Sequence, residues 1–103
     1  MATAHRKLLA VDLGAESGRA ILGRFDGTRL SLEEIHRFAN GPVPVFQHLY
    51  WDVLRLYGEL REGLRRFRQQ HGPELDSLGV DTWGVDFALL GRGDILLENP
   101  RHY

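Results

Sequence analysis

The first forty residues carry hydrophobic runs of strand length. Residues Lys7–Val11 are apolar without alternation, which is typical of a strand buried inside a sheet, and the run ends at the acidic Asp12. A second run, residues 19–25, is bounded by glycines. It leads into Asp26-Gly27, a dipeptide that favours a tight hairpin turn. We therefore expect antiparallel strands at the start of the chain.

A third run, residues 28–38, follows that turn. Leu30 and Leu32 alternate with polar residues, but Ile35 falls out of phase. A β-bulge near Glu33-Glu34 would restore the register, because one extra residue shifts the alternation by one position. The three runs together predict an antiparallel three-stranded meander.

After a loop, the spacing of the hydrophobic residues changes to that of an α-helix. Residues 39–50 contain two prolines and a glycine and predict a loop without a regular element. Asp52 is a good N-cap, and Gly72-Pro73 is a stop signal. Gly58 and Gly63 each cost a helix about 1 kcal/mol relative to alanine, which suggests close packing on a sheet. One helix face carries Val53, Leu56, Tyr57, Leu60, Leu64 and Phe67.

Two further strands are predicted near the end of the sequence. They cover Leu78–Val80 and residues 85–90, and residues 91–94 form a turn. The order is strand, strand, strand, helix, strand, strand. This order indicates an α+β or α/β fold in which one helix covers a sheet of about five strands.

Composition narrows the class of protein. The chain has 103 residues, of which 43% are hydrophobic and 26% charged, as in a small globular domain or part of a larger one. A formal net charge of −1 gives no reason to expect nucleic acid or an anionic membrane as partner. There is no cysteine, and no apolar run is long enough for a signal peptide or a membrane span. We expect a cytoplasmic protein.

The octet DLGAESGR, which begins at Asp12, is the first candidate for chemistry. It lacks the lysine of a Walker loop and the glycine spacing of a Rossmann fingerprint, and a strand follows it. A hairpin turn can instead bind an anion through successive backbone N–H groups, with Ser17 adding a donor. Asp12 beside it can hold Mg²⁺ through water. The alternative is an ordinary turn in which the aspartate accepts backbone hydrogen bonds.

A second candidate is the segment GVDTWGVDF, in which Asp81, Thr82, Trp83 and Asp86 interrupt an apolar run. Carboxylates that accept hydroxyl hydrogen bonds, beside an indole that covers C–H groups, suit a polyhydroxylated ligand. A turn with capping aspartates and a core tryptophan explains the same residues equally well. The segment alone does not decide between the two.

Four stretches together resemble the rhamnulokinases, which are FGGY carbohydrate kinases: VDLGAESGR, EIHRFANGPV, WDV and LDSLGVDTWGVDFALL. The resemblance runs from Lys7 to Tyr103. It implies the N-terminal part of an actin-like ATPase lobe of the ribonuclease H-like type. Most sugar kinases of the group have a threonine where Ala15 stands, whereas the rhamnulokinases have this residue type.

The resemblance also implies roles for individual residues. Asp12 would be the acid that holds Mg²⁺ through water. Gly84 would contact the sugar, with Trp83 and Asp86 nearby. The first phosphate loop, which contacts ATP, would consist of Gly14, Ala15, Glu16, Ser17, Gly18 and Arg19.

The implied reaction is ATP-dependent phosphorylation of L-rhamnulose to L-rhamnulose 1-phosphate in rhamnose catabolism. Kinases of this family are several times longer, and the aspartate that acts as general base lies beyond residue 103. We therefore expect residues 1–103 to form an incomplete N-terminal lobe. The C-terminal lobe is missing, and the chain is expected to be inactive alone. The alternative is a small stand-alone α+β binding module that has lost catalysis and keeps an intact core.

Overall fold

The computed structural model of the chain describes residues 5–103, so Met1 to Ala4 of the basic N-terminal segment lie outside it. Within that range the strands form two four-stranded sheets beside one α-helix. In chain order the elements are β1 (Arg6–Leu13), β2 (Ser17–Phe25), β3 (Leu30–Ala39), β4 (Val43–Val45), β5 (His48–Tyr50), α1 (Val53–His71), β6 (Ser77–Thr82), β7 (Asp86–Phe87), a 3₁₀ turn (Arg92–Asp94) and β8 (Arg101–His102).

The main sheet has the strand order β3-β2-β1-β6. Strands β1, β2 and β3 form the predicted antiparallel meander. The predicted bulge is also present: Ala20 pairs with His36 and Ile21 with Glu34, which leaves Ile35 as the extra residue. The bulge allows Ile35 and His36, although consecutive, both to be buried.

Helix α1 connects the meander to β6, which pairs with β1 in the parallel direction. The Asp52 side chain caps the helix by accepting a hydrogen bond from the Arg55 backbone N–H at 3.2 Å, and Gly72 ends it with a φ of 84°. The predicted helix is thus confirmed. Its apolar face packs on the meander, and the buried cluster between them consists of Leu9, Val11, Ala20, Leu22, Ile35 and Phe67.

The predicted loop over residues 39–50 is wrong, because the structure has a short hairpin of β4 and β5 there. Proline is compatible with β4, since β4 is the edge strand of the second sheet, whose order is β4-β5-β8-β7. Pro44 pairs with Leu49 in this hairpin. The prolines limit the hairpin to three residues a strand without preventing it.

The predicted strand over residues 85–90 is present only as Asp86–Phe87. The chain then bends back on itself, and a single bridge joins Leu90 to Leu96. The turn predicted at residues 91–94 is confirmed by the 3₁₀ turn at Arg92–Asp94 and by the Gly91 N–H, which donates to the Ile95 carbonyl at 2.7 Å.

Much apolar surface remains exposed in the part of the chain that the structure describes. All six residues of β6 are exposed, including Leu78 and Val80 at 45% and 55%, and no described strand pairs with the outer edge of β6. On β3, Leu30 and Leu32 are 58% and 68% exposed. No helix within residues 5–103 is long and apolar enough to cross a membrane.

The two glycines of α1 differ in their surroundings. A Cβ atom on Gly63 would lie 2.9 Å from the Ala20 Cβ, whereas a Cβ on Gly58 would meet nothing within 4 Å. The close packing expected of both glycines is therefore present at Gly63 only.

This difference gives a matched pair of substitutions. We expect Gly58→Ala to raise the free energy of unfolding by about 0.5–1 kcal/mol, because alanine favours the helix. Gly63→Ala gains the same propensity but pushes α1 off β2, so we expect it to be less stable than Gly58→Ala by about 1–3 kcal/mol. Urea unfolding followed by circular dichroism measures both. Equal stability of the two variants would contradict the close contact.

Candidate functional site

The turn between β1 and β2 is short and tightly held. The Gly14 N–H donates to the Ser17 carbonyl at 3.0 Å, and a Cβ on Gly14 would lie 2.5 Å from that carbonyl oxygen. Asn40, just after β3, fixes the turn from the side: its side-chain amide donates to the Gly14 carbonyl at 2.9 Å. Its backbone N–H donates to the Glu16 carbonyl at 2.9 Å. Only glycine fits at position 14.

The turn leaves hydrogen-bond donors free. Ala15 and Glu16 are exposed, and their N–H groups donate to no residue within the described range. The Ser17 hydroxyl has no hydrogen-bond partner there either. Adjacent N–H groups without protein acceptors fit the oxygens of a phosphate. These donors are compatible with the anion site expected from the octet, which stays a prediction.

Asp12 and Arg19 form an ion pair at the base of this turn. The two residues are opposite each other on β1 and β2, and an Arg19 guanidinium nitrogen lies 3.3 Å from the Asp12 carboxylate. Their side chains are 38% and 40% exposed, so water reaches both. Val11 and Leu13 face α1, and strand alternation therefore directs Asp12 to the opposite face of the sheet.

A cation at Asp12 could not be held by protein ligands alone. Residues 5–103 contain no group of three or more His, Cys, Asp or Glu side chains that could hold a metal ion. Mg²⁺ keeps several waters and commonly binds through one or two carboxylates and the phosphates of a nucleotide. We call the Gly14–Ser17 turn, with its free N–H donors, the phosphate-type turn. One accessible carboxylate beside this turn fits that kind of binding.

The second candidate segment begins where β6 ends, and the structure joins it to the end of β1. The Trp83 backbone N–H donates to the carbonyl of Leu13, the residue before Gly14, at 3.1 Å. The two segments selected from the sequence therefore meet at one edge of the main sheet. A cleft of about 280 Å³ opens there, lined by Leu13, Trp51, Val53, Leu56, Tyr57, Leu60, Thr82, Trp83, Asp86 and Pro100.

The structure does not bring all the predicted residues to one surface. The cleft lies on the side of the sheet that α1 covers, as its lining by Leu56 and Leu60 indicates, whereas Asp12 faces the other side. Gly84 is exposed next to the cleft and does not line it. The Gly14–Ser17 turn lies at the sheet edge between the two faces.

The loop after Trp83 has an unusual backbone. Val85 has a φ of 59°, a left-handed conformation that is unfavourable for a β-branched residue. Strand β8 and the residue after it hold the loop in place: Asp86 pairs with His102, and the Tyr103 backbone N–H donates to the Val85 carbonyl at 3.0 Å. Strain of this kind is typical of binding loops that the surrounding structure stabilises.

Trp51 is a site residue that the sequence did not indicate. It is 2% exposed, and its ring centroid lies 4.2 Å from that of Trp83 and 5.6 Å from that of His102. The backbone N–H of Trp51 donates to the Pro100 carbonyl at 2.8 Å. Trp51 thus supports both ends of the Trp83–Asp86 loop. The only signal in the sequence was an aromatic residue directly before a helix cap.

Two other glutamates, Glu98 and Glu62, have pKa values that neighbouring arginines lower. Arg101 donates to Glu98 at 2.6 Å and lowers the pKa of that carboxyl, which helps to anchor β8. On the outer surface of α1, hydrogen bonds from Arg65 and Arg66 lower the pKa of Glu62 to about 2. Glu62 is remote from the cleft and contributes to the helix alone.

Comparison with solved structures identifies the fold. A gluconate kinase from Lactobacillus acidophilus matches 95% of this chain with a TM-score of 0.73 and 13% identity, and the match covers 20% of that chain. A xylulose kinase from the same organism matches 93% with a TM-score of 0.72 and 13% identity, covering 19% of that chain. The chain therefore has part of the fold of FGGY sugar kinases, the actin-like ATPase fold, as expected.

Sequence comparison is more specific. The chain is 48% identical over 98 residues to a rhamnulokinase from Bacteroides thetaiotaomicron, which is 95% of this chain and 20% of that protein. It is 49% identical over 89 residues to one from Klebsiella pneumoniae, which is 84% of this chain and 18% of that protein. No family model matches. The resemblance to rhamnulokinases is confirmed, and the chain corresponds to an N-terminal part, about a fifth, of such a protein.

The packing of Gly18 below the turn can be tested with a double-mutant cycle. A Cβ on Gly18 would overlap the Phe38 ring. We expect Gly18→Ala to reduce the free energy of unfolding by about 1–3 kcal/mol through overpacking. Phe38→Leu makes room, so the double variant should be more stable than the sum of the single effects predicts. Additive effects in urea unfolding would contradict the contact.

The support that Trp51 gives to the loop can be tested by fluorescence, because the chain contains 2 tryptophans. In Trp51→Phe, Trp83 is the only emitter, and we expect it to stay protected from acrylamide because an aromatic ring remains in place. Trp51→Ala should cost about 3–5 kcal/mol and expose Trp83, with red-shifted emission and faster quenching. Equal quenching of Trp83 in both variants would exclude the supporting role.

Proposed function

We propose that this chain supplies the first phosphate-binding turn and part of the sugar site of a cytoplasmic kinase. The kinase would transfer the γ-phosphoryl group of ATP to the 1-hydroxyl of L-rhamnulose, within rhamnose catabolism. The observation that carries the proposal is the Trp83–Leu13 hydrogen bond, since it brings the phosphate-type turn and the polar Trp83–Asp86 segment to one edge of a sugar-kinase fold. The 40–49% identity to proteins named rhamnulokinase supports the choice of substrate.

The turn and its neighbours would bind the polyphosphate. The free N–H groups of Ala15 and Glu16 and the Ser17 hydroxyl would donate to phosphate oxygens, and Arg19 would add a charge-assisted contact. Gly14 lets the backbone turn sharply, because a Cβ there would lie 2.5 Å from the Ser17 carbonyl oxygen, and Gly18 leaves room for the Phe38 ring packed below the turn. Asp12 would hold Mg²⁺ through water, and the ion would neutralise charge on the phosphates.

The Trp83–Asp86 loop would hold the sugar. The Asp86 carboxylate would accept hydroxyl hydrogen bonds, and the Trp83 ring would cover apolar C–H groups. Gly84 exposes its backbone beside them and has no Cβ to exclude a ligand. Phosphoryl transfer depends chiefly on positioning and on charge stabilisation, and these residues would contribute to both.

Removal of the proton from the sugar hydroxyl requires a general base that we assign to no residue of this chain. Asp81 lies beside Asp12 on the face of the sheet opposite the cleft. Asp86 lines the cleft but would be occupied in binding hydroxyl groups. We therefore propose that residues 1–103 bind ligands only weakly and do not turn over alone.

A stand-alone binding module is the rival proposal. Such a module should bury its apolar residues, yet Leu78 and Val80 on β6, whose outer edge pairs with no described strand, are about half exposed. Exposed apolar residues on a strand with one free edge favour continuation of the sheet by further structure. This observation supports the proposal of an incomplete lobe.

The test is a kinase assay with L-rhamnulose and Mg-ATP, run on this chain and on an extended protein. The extended protein joins residues 1–103 to the remaining four fifths of the Bacteroides rhamnulokinase. We expect product from the extended protein only, and about a hundredfold or greater loss of kcat/KM in its Asp12→Asn variant, because the metal would lose its carboxylate contact.

The outcomes separate the parts of the proposal. Activity of the extended protein on another ketose but not on L-rhamnulose would refute the substrate. Turnover by the short chain would refute the claim that it lacks the base. An extended protein that folds but phosphorylates no sugar would refute the kinase function of this segment.

A further inference from the structure

Four charged residues form a row across the main sheet, one on each strand. In the pairing register Asp81 is opposite Asp12, Asp12 is opposite Arg19, and Arg19 is opposite Arg37. Strand alternation puts all four on the face away from α1, because their neighbours Val11, Ala20 and Phe38 are buried on the helix side. We call this set the charge row.

The order of signs in the charge row is unfavourable without a ligand. Like charges lie opposite each other at both ends, and cross-strand pairs of like charge are destabilising. Among the pairs within the row, only the central one joins opposite charges, through the 3.3 Å contact between Arg19 and Asp12. Arg37 has a partner in Glu34 at 2.8 Å, but these side chains are 54% and 45% exposed. Such an exposed pair is weak and easily exchanged.

The charge row lies next to the phosphate-type turn. Ser17, the last residue of the turn, pairs with Ala39 on β3. Two residues further from the turn on each strand, Arg19 pairs with Arg37. Asn40, three residues after Arg37, donates both hydrogen bonds that hold the turn from the β3 side. A ligand on the free N–H groups of the turn would therefore lie at the positive end of the charge row.

We propose that Arg37 is a second cationic contact for the polyphosphate, acting beside Arg19. The inference rests on the proposed function. A metal ion at Asp12 would compete with Arg19 for the carboxylate and leave Arg19 without its partner, opposite Arg37, which is paired with the exposed Glu34. Phosphate oxygens would supply a replacement anion, and guanidinium groups bind them in a bidentate manner. Metal and polyphosphate thereby favour each other's binding.

Two other arginines near the sheet contact groups away from the charge row. Arg24 lies towards the opposite end of β2, where it contacts His71 and Glu33. Arg55 donates to the Ala39 carbonyl from α1. Within the described residues, Arg37 is thus the arginine directly adjacent to Arg19 on this face.

The experiment measures binding of a non-hydrolysable Mg-ATP analogue, and of Mg-tripolyphosphate, to the extended protein by calorimetry. We expect Arg37→Gln to weaken both about tenfold, as loss of one charge-assisted contact implies. Its affinity should also depend less on KCl concentration, because one cation no longer contacts the phosphate. Arg37→Lys should recover part of the affinity, since it keeps the charge but not the planar fork.

Two controls isolate the effect. Glu34→Gln removes the exposed ion pair but keeps Arg37, and Arg61→Gln removes one positive charge from the far side of α1. We expect both to bind within about twofold of the unmodified protein, because neither removes a phosphate contact. Circular dichroism and thermal unfolding establish that each variant is folded.

The result can overturn the inference in two distinguishable ways. If the unmodified extended protein binds the Mg-ATP analogue and Arg37→Gln binds it as well as Arg61→Gln does, Arg37 is not a contact, and the proposed function stands. If the unmodified extended protein binds neither analogue nor tripolyphosphate, the proposed phosphate site fails, and the role of Arg37 fails with it.

Discussion

Strand β1 is the element on which the site depends, because it is hydrogen-bonded along both edges. It pairs antiparallel with β2 on one side and parallel with β6 on the other. The antiparallel partner makes the chain turn back at Gly14, and the parallel partner delivers Trp83 to the same end of the sheet. Residues about seventy positions apart in the sequence thus become neighbours through ordinary sheet hydrogen bonds. Contacts from outside the sheet, such as the packing of Trp51 on Trp83, then hold the two segments in place.

Local patterns in the sequence were sufficient for much of this architecture. The meander, the bulge beside Glu34 and the helix from Asp52 to Gly72 follow from periodicity and end signals, and the structure has them. The prediction failed where a residue preference was treated as a prohibition. Pro44 disfavours a central strand, but β4 is an edge strand, and a sequence does not reveal which strands become edges.

Some residues of the candidate site could likewise be predicted from the local sequence, and others could not. Asp12, Gly14 and the free donors of the turn could be selected from one octet, since the chemistry and the backbone geometry are local. Trp51 could not, because its partners Trp83 and His102 are distant in the chain, and contact between them depends on how the two sheets meet. The sequence does not indicate Arg37 for a related reason: its neighbours become apparent only once the register across β1, β2 and β3 is known.

The bulge at Ile35 has a consequence for how β3 can change. Before it, Glu33 faces α1 through its contact with His71; after it, His36 and Phe38 face the same side. The extra residue therefore shifts the alternation of side chains by one position between the two halves of β3. Deletion of a single residue there would invert the second half, turning Phe38 towards water and Arg37 into the apolar layer beneath α1. A change of length in β3 would therefore disturb both faces of the sheet at once.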